Sequence, residues 1–170
     1  MTEPNPRGQR VLLLGAETEL GQALASALAS AGASLALVAA TNDAEAAFAV
    51  QRLARRLSAL AQAIDAANEM AVRVMVRQVA KQLGGLDAVV FCADPGPSTR
   101  RTHDLALVYG AREMSRHGGG DFVEVGAPVG REPVELLKNV RGWLVVVKGR
   151  GEQEVVSEVL RAIAGDPDNR

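Results

Sequence analysis

Few side chains in this sequence combine the type and the spacing that chemistry needs. There is one cysteine, Cys92, and there are two histidines, His103 and His117. These are too few for the thiolate and imidazole clusters that hold transition metals. The two histidines flank one predicted helix about four turns apart, beyond the reach of a shared ligand, and both read as surface residues. The single tyrosine, Tyr109, is followed four residues later by Glu113. A carboxylate there would raise the phenol's pKa rather than depress it. Cys92 reads as a buried strand residue. Asp94, Asp121 and Glu124 fall near predicted strand ends, where they could hold a divalent cation. The pairs Arg55-Arg56 and Arg100-Arg101 read as solvated faces, although the second leaves a strand toward the predicted crevice and could meet a phosphate.

Elements must exist to position these groups, and composition says what kind. The 170 residues suit one domain, 48% are hydrophobic and only 3% aromatic. That describes a globular chain rather than a disordered or fibrous one. With 19 basic and 20 acidic residues the net charge is −1, so nothing draws the chain to nucleic acid or anionic lipid. No segment reads as a signal peptide or membrane span. One cysteine excludes an internal disulfide, and a reducing cytoplasm is the expected location.

Short apolar runs alternate with longer amphipathic segments, the pattern of repeated βαβ units around a parallel sheet. The run Val11 to Leu14 predicts a central strand buried on both faces. A helix over 18–31 is expected to stop at Gly32. A second strand covers 34–39. A second helix opens at Asn42, with Glu45 completing a capping box, and runs to about Arg56. A third, Ala-rich strand spans 58–65 and a helix spans 68–83, where Val72, Met75, Val76, Val79, Ala80 and Leu83 share a stripe. The fourth strand covers 87–92, followed by a loop over 94–100 and a helix over 104–117. The fifth strand covers 122–125. A short helix over 133–140, a sixth strand over 143–147 and a helix over 152–164 complete the domain. Residues 1–9 and 166–170 are expected to be flexible ends around a single domain over 10–165.

In this order the segments resemble the short-chain dehydrogenase/reductase family. V-L-L-L-G-A-E-T-E-L-G-Q-A-L-A resembles the family's first strand, glycine turn and helix, and D-A-V-V-F-C-A-D its fourth strand, D-V-L-V-N-N-A-G. G-G-G-D-F-V-E-V-G-A-P-V-G resembles the fifth strand, and E-Q-E-V-V-S-E-V-L-R-A-I-A-G a late helix. The resemblance implies a Rossmann-like, three-layer α/β/α domain with about six parallel strands in the order 3-2-1-4-5-6. It places the ligand crevice beside strands one and four. It also implies cofactor-binding positions at Gly15, Glu19, Leu20, Gly21, Thr41, Asp65 and Ala93, with Asp65 where the family contacts adenine.

Several of those positions depart from the family. Its three turn glycines fall on Gly15, Glu19 and Gly21. Gly15 and Gly21 keep the tight turn and the close packing, but Glu19 brings bulk and negative charge toward the diphosphate. At about 5 Å and an effective dielectric of about 20, one like-charge pair costs roughly 3 kcal/mol, on the order of a hundredfold in affinity. Glu19 is equally at home as an acid in a helix's first turn. At the end of strand two Thr41 or Asn42 could bond a ribose, Asn42 reads as the helix cap, and Asp43 is the only nearby acid.

The resemblance further implies a catalytic Ser-Tyr-Lys with a relay Asn. Here the strand-five serines fall on Gly126 and Ala127, and Tyr109 precedes strand five rather than following it. The expectation is a member lacking that machinery, with no catalytic residue and no metal, acting as a binding, regulatory or assembly subunit. No cofactor is expected, with NAD(P) held weakly at most. The alternatives are an NAD(P)-dependent oxidoreductase with a rearranged site, or a nucleotide-binding redox sensor without turnover. Family association implies a homo-oligomer, or pairing with a full-length reductase, through Leu105, Val108, Tyr109 and Met114. Nucleic acid and membrane are not expected partners.

Overall fold

The apolar run of the first strand leaves it no solvent-facing side. In the computed structural model, which describes residues 5–93, 97–126 and 137–165, β1 (Arg10–Leu14) has Val11, Leu12, Leu13 and Leu14 wholly buried. Val11 and Leu13 enter one core, Leu12 and Leu14 the other. The two cores are the two faces of one sheet. β1 pairs in parallel with β2 (Ser34–Val38) and with β4 (Ala88–Cys92), whose residues alternate between the same two cores. β3 (Leu60–Gln62), β5 (Gly120–Val125) and β6 (Val140–Val145) complete a six-stranded sheet in the order β3-β2-β1-β4-β5-β6. The implied strand order is therefore the observed one.

Helices α1 (Glu19–Ser30), α2 (Ala44–Leu57) and α5 (Glu152–Ala164) cover one face, and α3 (Glu69–Leu83) and α4 (Pro97–Arg116) the other. This is the three-layer arrangement that buries a parallel sheet on both sides. The starts of β1 and β4 are clamped together. Asp87 accepts from the Arg10 backbone N–H, Nε and Nη2, each at 2.8 Å, while Nη1 donates to the Gly84 carbonyl.

Several boundaries differ from the sequence-based expectation. Asp43, not Asn42, caps α2, accepting from the Glu45 N–H. Strand three starts later than 58 because Ser58 takes the left-handed C-cap conformation, φ 54°, with Ala59 N–H returning to the Ala54 carbonyl, and it ends at Gln62, opposite the last residue of β2. Helix α4 begins at Pro97 rather than residue 104. Proline suits a first helical turn, where no N–H is required, so the Pro-rich stretch opens the helix instead of delaying it. β6 starts at Val140 rather than Trp143. As an edge strand it buries only Val140 and Val145 well, so its register is set by pairing with β5 rather than by an apolar run. Of the short helix expected over 133–140, residues 133–136 lie outside the described residues, and the rest is not helical: 137–139 form a turn closed by Val140 N–H to the Leu137 carbonyl, and Val140 opens β6.

The apolar surface expected on the fourth helix is not there as drawn. Met114 is wholly buried and Leu105 nearly so, both in the α3/α4 core, and Tyr109 packs partly against it. Of the four, Val108 is exposed; Met70 and Val74, one turn apart on neighbouring α3, are exposed with it. Among the described residues no helix is long and apolar enough to cross a membrane.

Candidate functional site

The glycine turn between β1 and α1 is fixed by two close backbone approaches. Gly15 adopts φ 88°, and a Cβ there would lie 1.6 Å from the Cys92 carbonyl oxygen. A Cβ on Gly21 would lie 2.0 Å from the Gly15 oxygen. Thr18 ties the turn together: its Oγ1 donates to the Gly15 carbonyl at 2.9 Å and accepts from Gly21 N–H at 2.9 Å. Cys92, the buried strand residue the sequence suggested, lies with Sγ 3.7 Å from Thr18 Oγ1. The N–H groups of Glu19 and Leu20 precede the first intrahelical bond, Gln22 N–H to Thr18 C=O. Helix starts of this kind attract anions.

Two cavities open at the carboxyl ends of the strands. The larger, about 670 Å³, is lined by Thr18, Glu19, Leu20, Cys92, Ala93, Val125 and Gly126, and on its far side by Val147, Lys148 and Arg150. The smaller, about 320 Å³, is lined by Ala39, Thr41, Asn42, Asp43, Ile64 and Asp65 among others. The expected cofactor positions therefore separate: Glu19, Leu20 and Ala93 line the first cavity above Gly15 and Gly21, and Thr41 and Asp65 line the second. Asp65 lies beyond the end of β3, exposed, with Oδ1 accepting from Ala67 N–H at 3.0 Å. The two glycines let the turn pack tightly against Cys92 and against itself, which brings the α1 start to the wall of the larger cavity.

Lys148 and Arg150, which the sequence reading did not place here, line the larger cavity, and Glu17, which lines neither cavity, stands at the glycine turn. Glu17 reaches from the glycine turn to the end of β2, where its Oε1 and Oε2 accept from the Ala40 N–H at 3.1 and 3.2 Å. Lys148 and Arg150 stand on the β6–α5 loop facing Glu19's cavity. Arg150 is drawn toward α5 by Glu154, at 2.9 Å, and by Glu158, and these carboxylates raise its pKa. Lys148 makes no ion pair among the described residues. The β1–β2 adjacency was the available signal for Glu17, since a residue just past one strand end faces the end of its neighbour. For Lys148 the available signal was its place just past the expected sixth strand, at the carboxyl end of the sheet.

Residues thought chemically interesting elsewhere go to other tasks. Tyr109 donates its hydroxyl to Glu69 Oε1 at 2.5 Å, across α3 and α4, and lines neither cavity. The hydrogen bond to Glu69, with smaller burial and charge effects, raises its pKa above 10.0. Glu113, expected to do this, instead meets Arg116, at 3.4 Å. As the chain has one tyrosine, ultraviolet titration of the phenol reads this contact alone; Glu69→Gln is expected to shift the midpoint downward, and an unmoved midpoint would refute the pairing.

His103 is not a surface residue. The early start of α4 turns it inward, 3% exposed, edge-on between the rings of Phe91 and Phe122, with Nε2 3.0 Å from Glu124 Oε2. His117 is exposed, with Nδ1 2.9 Å from the Glu113 carbonyl. The acids do not gather as a cation site. Asp121 lies at the start of β5, away from the groove, held by Arg141 at 2.8 Å and Trp143 Nε1 at 2.9 Å; Glu124 faces His103, and Asp94 lies outside the described residues. Among the described residues no group of three His, Cys, Asp or Glu is placed to hold a metal. Arg55, Arg56 and Arg100 are exposed, and Arg101 Nε donates to the Ala67 carbonyl at 3.0 Å.

A parallel six-stranded sheet in this order, with a glycine turn after β1 and cavities at the carboxyl ends of its strands, defines a Rossmann-like domain. Residues 15–110, over half the chain, match the family model described as enoyl-(acyl carrier protein) reductase. The chain belongs to the short-chain dehydrogenase/reductase family. A short-chain type dehydrogenase/reductase from Mycobacterium marinum is 25% identical, with TM-score 0.62, over 75% of this chain and 60% of its own. A short-chain dehydrogenase from Burkholderia cenocepacia in complex with NADP is 27% identical, with TM-score 0.60, over 72% and 57%. A metagenomic short-chain oxidoreductase in complex with NADP reaches TM-score 0.73 at 19% identity, over 96% of this chain and 93% of its own, a likeness of fold. The chain thus spans about 60% of the length of the first two structures. No curated protein matches it.

Proposed function

We propose that this chain binds a nicotinamide dinucleotide without performing the family's tyrosine-dependent hydride transfer, and serves as a binding or regulatory subunit. The observation that carries the reading is the position of its only tyrosine, whose hydroxyl is committed to Glu69 outside the groove. A phenol with a raised pKa is a poorer proton relay near neutrality. Gly126, at the end of β5, brings no hydroxyl to the cavity. Cofactor binding is supported by the α1 start beside the larger cavity, by the second cavity at the end of β2, and by the NADP held in the Burkholderia relative. These weigh against the expectation that no cofactor is held. Lys148 offsets part of the repulsion expected from Glu19, which is exposed and can turn toward solvent, while Arg150 is balanced by Glu154 and Glu158. A bound dinucleotide would supply hydride chemistry; this chain's own groups would hold its diphosphate at the α1 start and place Lys148 beside it. Subunit association would use the exposed Met70, Val74 and Val108.

Calorimetric titration with NADH and NADPH, followed by incubation with a panel of aldehydes and ketones, tests the reading. The expected result is saturable binding tighter than about 1 mM, further tightened in Glu19→Gly, with no oxidation of the reduced cofactor. Sustained carbonyl-dependent oxidation would instead establish a rearranged oxidoreductase.

A further inference from the structure

The two edges of the sheet are finished differently. β3 is three residues long and ends in Gln62, a short edge that gives another chain little to pair with. β6, at the other edge, is six residues long, and from Gly142 to Val147 the sequence G-W-L-V-V-V holds no charge and no proline. Its backbone groups divide by parity. Gly120 N–H donates to the Asn139 carbonyl and Gly126 N–H to the Val145 carbonyl, each at 3.0 Å, so the odd-numbered residues turn their polar groups to β5. The even-numbered ones turn theirs outward, because hydrogen-bonding direction alternates along a strand. Among the described residues the outward Val146 carbonyl accepts from Arg150 Nη1 at 3.2 Å, while Gly142 and Leu144 each keep an open donor and acceptor. The same stretch exposes apolar side chains. Leu144, on the face away from Trp143 and Val145, is 45% exposed and Val146 is 38% exposed.

We infer that the β6 edge is an interface between two copies of this chain, paired antiparallel about a two-fold axis at Leu144. A second copy suits this edge on three counts. An antiparallel two-fold repeats the same donors and acceptors across the axis, so Leu144 exchanges two hydrogen bonds with its own counterpart and the Gly142 carbonyl accepts from the Val146 N–H. The side chains agree with that register. Leu144 meets its counterpart, Trp143 lies opposite Val145 and Arg141 opposite Val147, so exposed apolar groups cover one another and no like charges meet. The union also closes, since both β6 edges are consumed and the joined sheet ends in the short β3 on either side. This contact involves neither the ligand of the groove nor Met70, Val74 and Val108 on the helix face.

Sedimentation velocity from about 1 to about 200 μM is expected to show a monomer–dimer equilibrium with a dissociation constant of about 10–100 μM, as suits so small an interface. Leu144→Lys sets two like charges on the axis and is expected to weaken dimerisation about tenfold or more. The position is exposed, so the fold is retained, and an unchanged melting temperature of the monomer verifies this. Val108→Lys, on the helix face, is expected to leave dimerisation unchanged. Amide hydrogen exchange of the unaltered chain reads the pairing itself: the Leu144 N–H should exchange about twofold or more slowly at the highest concentration than at the lowest. A chain that stays monomeric throughout overturns the inference. So does a dimer that survives Leu144→Lys or is lost in Val108→Lys, an assembly that grows past two copies, or a Leu144 amide indifferent to concentration.

Discussion

Gly15→Ala is expected to cost about 4 kcal/mol or more of folding stability, enough to unfold many domains of this size. Two penalties combine. An alanine at φ 88° is strained by roughly 1–3 kcal/mol, and its methyl group would overlap the Cys92 carbonyl at 1.6 Å, backbone against backbone, with no rotamer to relieve it. The β1–β4 pairing that forms the sheet's centre must then separate. Gly84→Ala separates the two effects. Gly84 also has positive φ, 79°, but no atom lies within 4 Å of its would-be Cβ. Its loss is expected near 1 kcal/mol. Urea denaturation of both variants checks the contrast, and equal losses would refute the steric account of the turn.

Asp87→Asn is expected to cost about 2 kcal/mol at neutral pH and to remove part of the acid-dependent loss of stability. The side-chain hydrogen bond from Arg10 holds the Asp87 carboxyl below its ordinary 3.8, aided by the Arg10 backbone N–H and by its charge against a smaller burial effect. The folded state therefore prefers the ionised carboxylate. Its contribution is complete above the unfolded value, near pH 4, and disappears as pH falls through the lower folded value. Both partners are partly exposed, with side-chain accessibilities of 30% and 24%, so solvent screening keeps the effect moderate. Thermal melts across the acid range should show wild type losing its advantage over the variant below about pH 4. An advantage that persists there would mean that Asp87 acts through packing rather than charge.

The same distinction between local and assembled features explains what could be read from the residues in order. The β1 run, the glycine turn and the stripes of α3 and α5 are local patterns; the strand order came only with the family resemblance. Ser58 and Pro97 were misjudged because a serine in the left-handed region and a proline opening a helix both depend on their neighbours. His103 followed from that error: with α4 begun at residue 104 it stands outside the helix, and with α4 begun at Pro97 it points into the sheet between two rings. Glu19, Leu20, Thr41, Asp65 and Ala93 were placed at the groove by resemblance. Lys148 reaches it only because the end of β6, distant in sequence, stands beside the glycine turn. Tyr109 shows the reverse case, since the helical spacing to Glu113 was real while the hydrogen bond went to another helix.

The burial of Cys92 beneath the α1 cap gives this protein an internal clock. It is the only sulfhydryl in the chain, 4% exposed and pinned where the first and fourth strands meet the turn. Because it also lines the larger cavity, the speed of covalent labelling in the native state reports access through that cavity together with breathing of the corner, with no foreign probe attached beforehand.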